Sequence, residues 1–198
     1  MAEIKRPVFF SGENPAMTLY LPGTEQVTAV ASYWHCTDSP HGLGHALIFW
    51  FADETHGIGH GGIFTDNLEL AKVLVNKLAR HFPEFENIPV DTLPYTEAHC
   101  EHTYNGQSYR AVCQSADTQI KLEWVEVLDR KQVNWPGFPA GDTVFDLTTV
   151  ICPCKDGRIQ INDKAVDGDV QMLKADDGFF RSTAFLAFAE TWIGPVES

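Results

Sequence analysis

The chain has 198 residues, enough for one domain with a sizeable core and too few for two, so it is read as a single domain over 1–198. Hydrophobic residues make up 44% and charged residues 21%, ordinary globular proportions that argue against large-scale disorder. With 14 Lys plus Arg against 27 Asp plus Glu, the formal net charge of −13 repels phosphate backbones and anionic lipids, which excludes nucleic acid and membrane partners and leaves small molecules or a second copy of the chain in a homodimer.

The opening Met1-Ala2-Glu3-Ile4-Lys5-Arg6-Pro7 lacks the apolar stretch of a secretory signal, and the longest apolar run, Ala46 to Ala52, is too short to span a bilayer. Both features point to the cytoplasm. So does the odd set of five cysteines, Cys36, Cys100, Cys113, Cys152 and Cys154, which fits reduced thiols better than a disulfide framework.

In chain order, runs rich in β-branched and aromatic residues predict strands over Met17 to Leu21, Gln26 to Trp34, His45 to Phe51 and Ile58 to Phe64. His35, His41, His45, His56 and His60 crowd this stretch, a density that suits a divalent transition metal bound with a carboxylate such as Glu54. The spacing His41-x3-His45 and His56-x3-His60 places ligands on one face only if the backbone is helical, and Gly42, Gly44, Gly57, Gly59, Gly61 and Gly62 oppose helix at both places. If Asp53 to Gly57 turns a hairpin, His60 returns opposite Trp50 as the pocket residue and His56 sits at the tip.

One amphipathic helix is predicted over about 66–82. Asp66 is its N-cap with Glu69 three residues on, Leu70, Ala71, Leu74, Leu78 and Phe82 share a face, and Pro83 stops it.

Glu97 to Tyr104 and Gln107 to Gln114 flank Asn105-Gly106, the sequence of a two-residue type I′ hairpin turn. That register sets His102 opposite Tyr109. It turns His99, Glu101, Thr103, Ser108 and Arg110 outward and Ala98, Cys100, His102, Tyr109, Ala111 and Cys113 inward. His102 beside Tyr109 is then either a hydrogen-bonded core histidine or an acid/base pair lining a cavity.

Thr118 to Leu128 reads as a long strand, and the Pro- and Gly-rich Asn134 to Asp142 as a loop whose Trp135 and Phe138 form a lid. Thr143 to Cys154 and Arg158 to Asn162 pair around an Asp156-Gly157 turn, with Cys152 and Cys154 as small buried hydrophobes. Val170 to Leu173 and Ala184 to Trp192 complete about ten strands. Alternation sets Glu126 among Leu122, Trp124 and Leu128, and Glu190 among Leu186, Phe188 and Trp192; a dry carboxyl with a raised pKa suits proton transfer.

The expected architecture is mainly β: an antiparallel barrel or two-sheet sandwich with the helix packed on it, lipocalin-like in architecture alone. The expected function is binding of a small, largely apolar or aromatic molecule among Trp34, Trp50, Trp124, Trp135, Phe138 and Phe188. Its catalytic extension is a cofactor-independent isomerase, cyclase or hydratase-like lyase, in which Glu190 or Glu126 exchanges protons and His102, Tyr109 and His60 position the substrate. The alternatives are a metal-dependent enzyme using His41, His45, His56 and His60 with His35, and a non-enzymatic protein-interaction domain. Phosphate-loop, dinucleotide-fold and nucleophile-elbow motifs are missing from the sequence.

Overall fold

The computed structural model describes residues 6–52, 61–175 and 178–195. Its strands are β1 Val8–Glu13, β2 Ala16–Tyr20, β3 Val27–Asp38, β4 Gly44–Phe51, β5 Gly61–Thr65, β6 Tyr95–Glu97, β7 His99–Tyr104 and β8 Tyr109–Gln114. There follow β9 Gln119–Val127, β10 Lys131–Ala140, β11 Thr143–Ile161, β12 Lys164–Ala165, β13 Met172–Lys174, β14 Phe180–Ser182 and β15 Ala184–Ile193. One helix, α1 Leu68–Lys77, lies between β5 and β6.

The main sheet runs β6-β5-β4-β3-β1-β15-β11-β9-β8-β7, with β10 and β12 added on β11 and β2 on β3 and β15. Its first and last strands, β6 and β7, are consecutive in the chain. Ala98 joins them, and its N–H donates to the Thr65 carbonyl at 2.9 Å. The two ends of the sheet are thus joined through the chain itself. The pairing is antiparallel except at β5–β6. β11, 19 residues long, serves two walls: its first part pairs with β10 and β15, its last part with β9.

Strand alternation sorts the apolar residues into two cores. Tyr33, Leu47, Phe49, Tyr109, Leu122, Trp124 and Leu186 fill the space between the walls. Phe10, Trp34, Ile48 and Trp192 point the other way and meet Leu70 and Leu74 of α1. Burying each of the larger helix residues is worth roughly 1.5–3 kcal/mol, which anchors a ten-residue helix too short to persist alone.

The helix is shorter than its apolar spacing implies. Its N-cap is Asn67, whose side-chain oxygen accepts the Leu70 N–H at 3.1 Å, and not Asp66. Leu78 leaves helical geometry, and the chain continues in short 3₁₀ turns at Ala79–His81, Pro83–Phe85 and Val90–Thr92.

Four local expectations are corrected. The β7–β8 connection is not a two-residue turn: Tyr104 pairs with Tyr109, and Asn105 caps a four-residue loop by accepting the N–H groups of Gln107 and Ser108. The register moves by two residues, so the inward set is unchanged, but Cys100 now faces Cys113 directly and the two form a disulfide, contrary to the expected reduced thiols. Asp156-Gly157 makes no turn: β11 runs straight through it, and Gly157 packs where a Cβ would meet Ala184. Asn134 to Asp142 is not a lid loop either. It belongs largely to β10, an outer strand that tolerates Pro136 because the register skips Pro136-Gly137 as a bulge between Trp135 and Phe138.

Candidate functional site

At the end of the barrel where β3 turns into β4, six polar side chains from five strands converge. β1 supplies Glu13, β3 supplies Tyr33 and His35, β4 supplies His45, β7 supplies His102 and β8 supplies Tyr109. His35 and His45 are opposite each other in the β3–β4 ladder. Gly12 lets β1 in beside them, because a Cβ there would lie 1.9 Å from the His35 carbonyl oxygen.

The Glu13 carboxylate is the hub. Its Oε2 accepts the Tyr109 hydroxyl at 2.9 Å and lies 3.8 Å from His102 Nε2 and 3.9 Å from His35 Nδ1. The Tyr33 hydroxyl lies 3.4 Å from His102 Nδ1. His102 stacks flat on Tyr109 with 5.3 Å between ring centroids, and the His35 ring lies 4.4 Å from His102 and 4.8 Å from His45. Asp66, freed from capping α1, accepts both the backbone N–H and the ring Nδ1–H of His45 at 2.6 Å. The three imidazoles retain 18–25% side-chain exposure, so the cluster opens to solvent while its floor, Tyr33 and Tyr109, is buried.

Burial sets the charge state. It is the main cause that lowers the pKa of His35, helped by the neighbouring rings of His102 and His45, and the main cause that lowers that of His102 against the opposing pull of Glu13. Burial and then the surrounding carboxylates push Tyr33 and Tyr109 well above the ordinary phenol range. At neutral pH the site therefore presents the neutral imidazoles of His35 and His102 and the protonated phenols of Tyr33 and Tyr109 beside the carboxyl group of Glu13. One ring nitrogen from each of His35, His45 and His102 lies within 4.8 Å of the others, so these three residues can hold a metal ion.

His102, Tyr109 and His45 are brought together here. Glu190 is not among them. Ala189 has φ +47°, which breaks the alternation of β15 and sends Glu190 to the helix side of the sheet with Trp192. There Glu190 is 3% exposed, accepts the Trp192 indole N–H at 2.6 Å and is hydrogen-bonded by Asn14 and Thr149, while burial raises its pKa to about 7. Glu126 is exposed, not set among core residues: φ +60° turns it out to an ion pair with Lys155 at 2.9 Å, worth about 0–1 kcal/mol, away from the cluster. His41 sits at the β3–β4 turn against Phe9, outside the triad. His56, His60 and Glu54 lie outside the described residues.

The expected aromatic ligand set does not converge. Trp34 is sealed between sheet and helix against Phe82, and Trp124 is locked in the inner core with its indole N–H on the Ala16 carbonyl at 2.9 Å. Trp50 lines a separate outer cleft with Tyr20 and Ile88. Trp135 is 53% exposed on β10, and Phe138 packs edge-on against it and against Trp192. Phe188 alone reaches the site, against Tyr109 and Tyr104. Sequence reasoning missed Glu13, Tyr33 and Asp66; alternation along β3 past Trp34 was a usable signal for Tyr33 with His35, whereas nothing local in Gly12-Glu13 announces a pairing across the barrel.

Fold and site together define a closed, mainly antiparallel β-barrel carrying a His/Tyr/Glu cluster at one end and a helix on its outer wall. No family model and no curated relative matches the chain. Among solved structures it is similar to an acetoacetate decarboxylase from Legionella pneumophila subsp. pneumophila str. Philadelphia 1, with TM-score 0.41 and 11% identity over 98% of this chain and 88% of that one. A second similar structure, from structural studies of acetoacetate decarboxylase, has TM-score 0.44 and 10% identity over 97% and 88%. Among the described residues no helix is long and apolar enough to cross a membrane.

Proposed function

We propose that the cluster at the barrel end is a proton-transfer site, of lyase or isomerase type, acting on a small organic molecule. The observation that carries this reading is the Tyr109 hydroxyl on Glu13 Oε2 at 2.9 Å, with His102 Nε2 3.8 Å from the same oxygen. A partly exposed proton acceptor and a neutral imidazole thus lie together over a buried phenol.

In the reaction class this arrangement suits, the carboxylate of Glu13 takes a proton from a carbon next to a carbonyl. The C–H electron pair is delocalised onto the carbonyl oxygen, to which the Tyr33 hydroxyl, held protonated, donates a hydrogen bond as the oxyanion develops, while the Tyr109 hydroxyl, donating to Glu13, orients the base. Return of the proton at another carbon completes an isomerisation; loss of a β-substituent completes an elimination. Phe188 and Tyr104, 4.9 Å apart between ring centroids, offer an apolar shelf for the unreactive part of the substrate.

The test is incubation of the purified protein with a small-metabolite extract in deuterium oxide, followed by mass spectrometry. Label or product that depends on wild-type protein and disappears with Glu13→Gln is the expected result. Extracts that remain identical with wild type, Glu13→Gln and no protein would refute the reading.

A further inference from the structure

We infer that His35, His45 and His102 form the binding site of one divalent transition ion of the zinc type. The inference rests on the reading of this cluster as a functional site and deepens it by supplying a Lewis acid.

Four observations carry it. The ring nitrogens come from both walls of the barrel, His35 and His45 from β3 and β4 and His102 from β7, and all lie within 4.8 Å of one another. His45 offers its Nδ1–H to the Asp66 carboxylate at 2.6 Å, which fixes the tautomer and leaves Nε2 as the free lone pair. A carboxylate behind a ligating imidazole is the usual outer support of a metal site. His35 Nδ1 is buried and makes no hydrogen bond, a polar atom whose desolvation is so far uncompensated. Finally, three protein ligands that each keep 18–25% of their side chain exposed leave a side open to solvent, which matches the pattern of a catalytic ion rather than a closed structural one.

Zinc–nitrogen bonds of about 2.0–2.1 Å at tetrahedral angles set ligand nitrogens roughly 3.3 Å apart, so nitrogens now up to 4.8 Å apart must close in by up to about 1.5 Å. Their partial exposure leaves room for such side-chain rotation, whereas the fully buried Tyr33 and Tyr109 beneath them keep the floor fixed. The remaining coordination position would take water or a substrate oxygen, which the ion polarises.

The test uses the full chain without an affinity tag, stripped with a chelator and titrated with zinc by calorimetry and with cobalt by visible absorption. One ion per chain is expected, with cobalt bands of low coordination number. His35→Ala and His102→Ala should each weaken binding about 100-fold or more, Asp66→Asn roughly 10- to 100-fold at unchanged stoichiometry, and His41→Ala not at all. Far-UV circular dichroism of each variant, with His102→Gln as a milder replacement, separates loss of ligand from loss of fold. Wild type that binds no ion, or binding undiminished in folded His102 variants, overturns the inference. Metal binding without Glu13-dependent deuterium labelling would sink only the proton-transfer reading; labelling by chelator-stripped protein that binds no ion would sink only this one.

Discussion

Asp66 and His45 are joined twice: one carboxylate accepts both the backbone N–H and the ring N–H of the histidine at 2.6 Å. The residue whose position suits a helix cap is thereby spent on orienting a ring of the candidate site, and Asn67 caps α1 in its place. Asp66→Ala should cost about 2 kcal/mol, in the range for hydrogen bonds to a charged group, and leave helix content unchanged. Asn67→Ala should cost about 1 kcal/mol and reduce helix content. Urea melts and far-UV circular dichroism of the two variants separate these roles.

Gly12 is the closest backbone approach at the site. A methyl group there meets the His35 carbonyl at 1.9 Å, so Gly12→Ala must push β1 off β3. We expect a loss of order 3 kcal/mol in a urea melt and, with β1 displaced, loss of the Glu13 contact to Tyr109. Stability and side-chain spectra like those of wild type would count against the packing described.

Glu190 should impose a pH dependence of its own. Its folded pKa, raised by burial to about 7 from an ordinary 4.5, exceeds that of the unfolded chain. The folded state therefore holds the proton more tightly, and this contribution is present in full below about pH 4.5 and lost as pH rises through 7. The facing groups are Trp192, Asn14 and Thr149, which favour the charged form, and Glu84, which opposes it. The difference amounts to about 3 kcal/mol. Glu190→Gln should flatten the decline in unfolding free energy between pH 5 and pH 8 relative to wild type; parallel curves for the two proteins would show that Glu190 titrates normally.

How far the sequence reached depends on whether a signal was local. The apolar faces of α1, the strand alternation and the inward positions of His102 and Tyr109 are encoded within a few residues, and they survive a two-residue register error because a strand repeats every two. Positive φ at Ala189 and Glu126 is invisible to pattern reading, and each reverses the face of a glutamate singled out for catalysis. Asn134 to Asp142 looks like a loop because Pro and Gly normally exclude strand; only the outer position of β10 and its bulge permit pairing there. Glu13 meets Tyr109 across 96 residues, a closure no window of sequence contains.

The Cys100–Cys113 bond closes a loop of 13 residues' separation on the hairpin that carries His102. By the chain-entropy argument, loss of such a cross-link costs about 3 kcal/mol. Cys100→Ser with Cys113→Ser should lower stability by about that amount, and a peptide map run without reductant should recover the two cysteines in one linked fragment from wild type. Recovery of both as free thiols would refute the bond.

The convergence of strands on Glu13 is tested most directly by titrating the histidine rings by NMR in wild type and Glu13→Gln, with chelator present. The Glu13 charge raises the pKa of both His35 and His102, so removing it should lower both together. Titration curves for the two rings that overlay those of wild type would mean that Glu13 is remote from them, and the site as described would not exist.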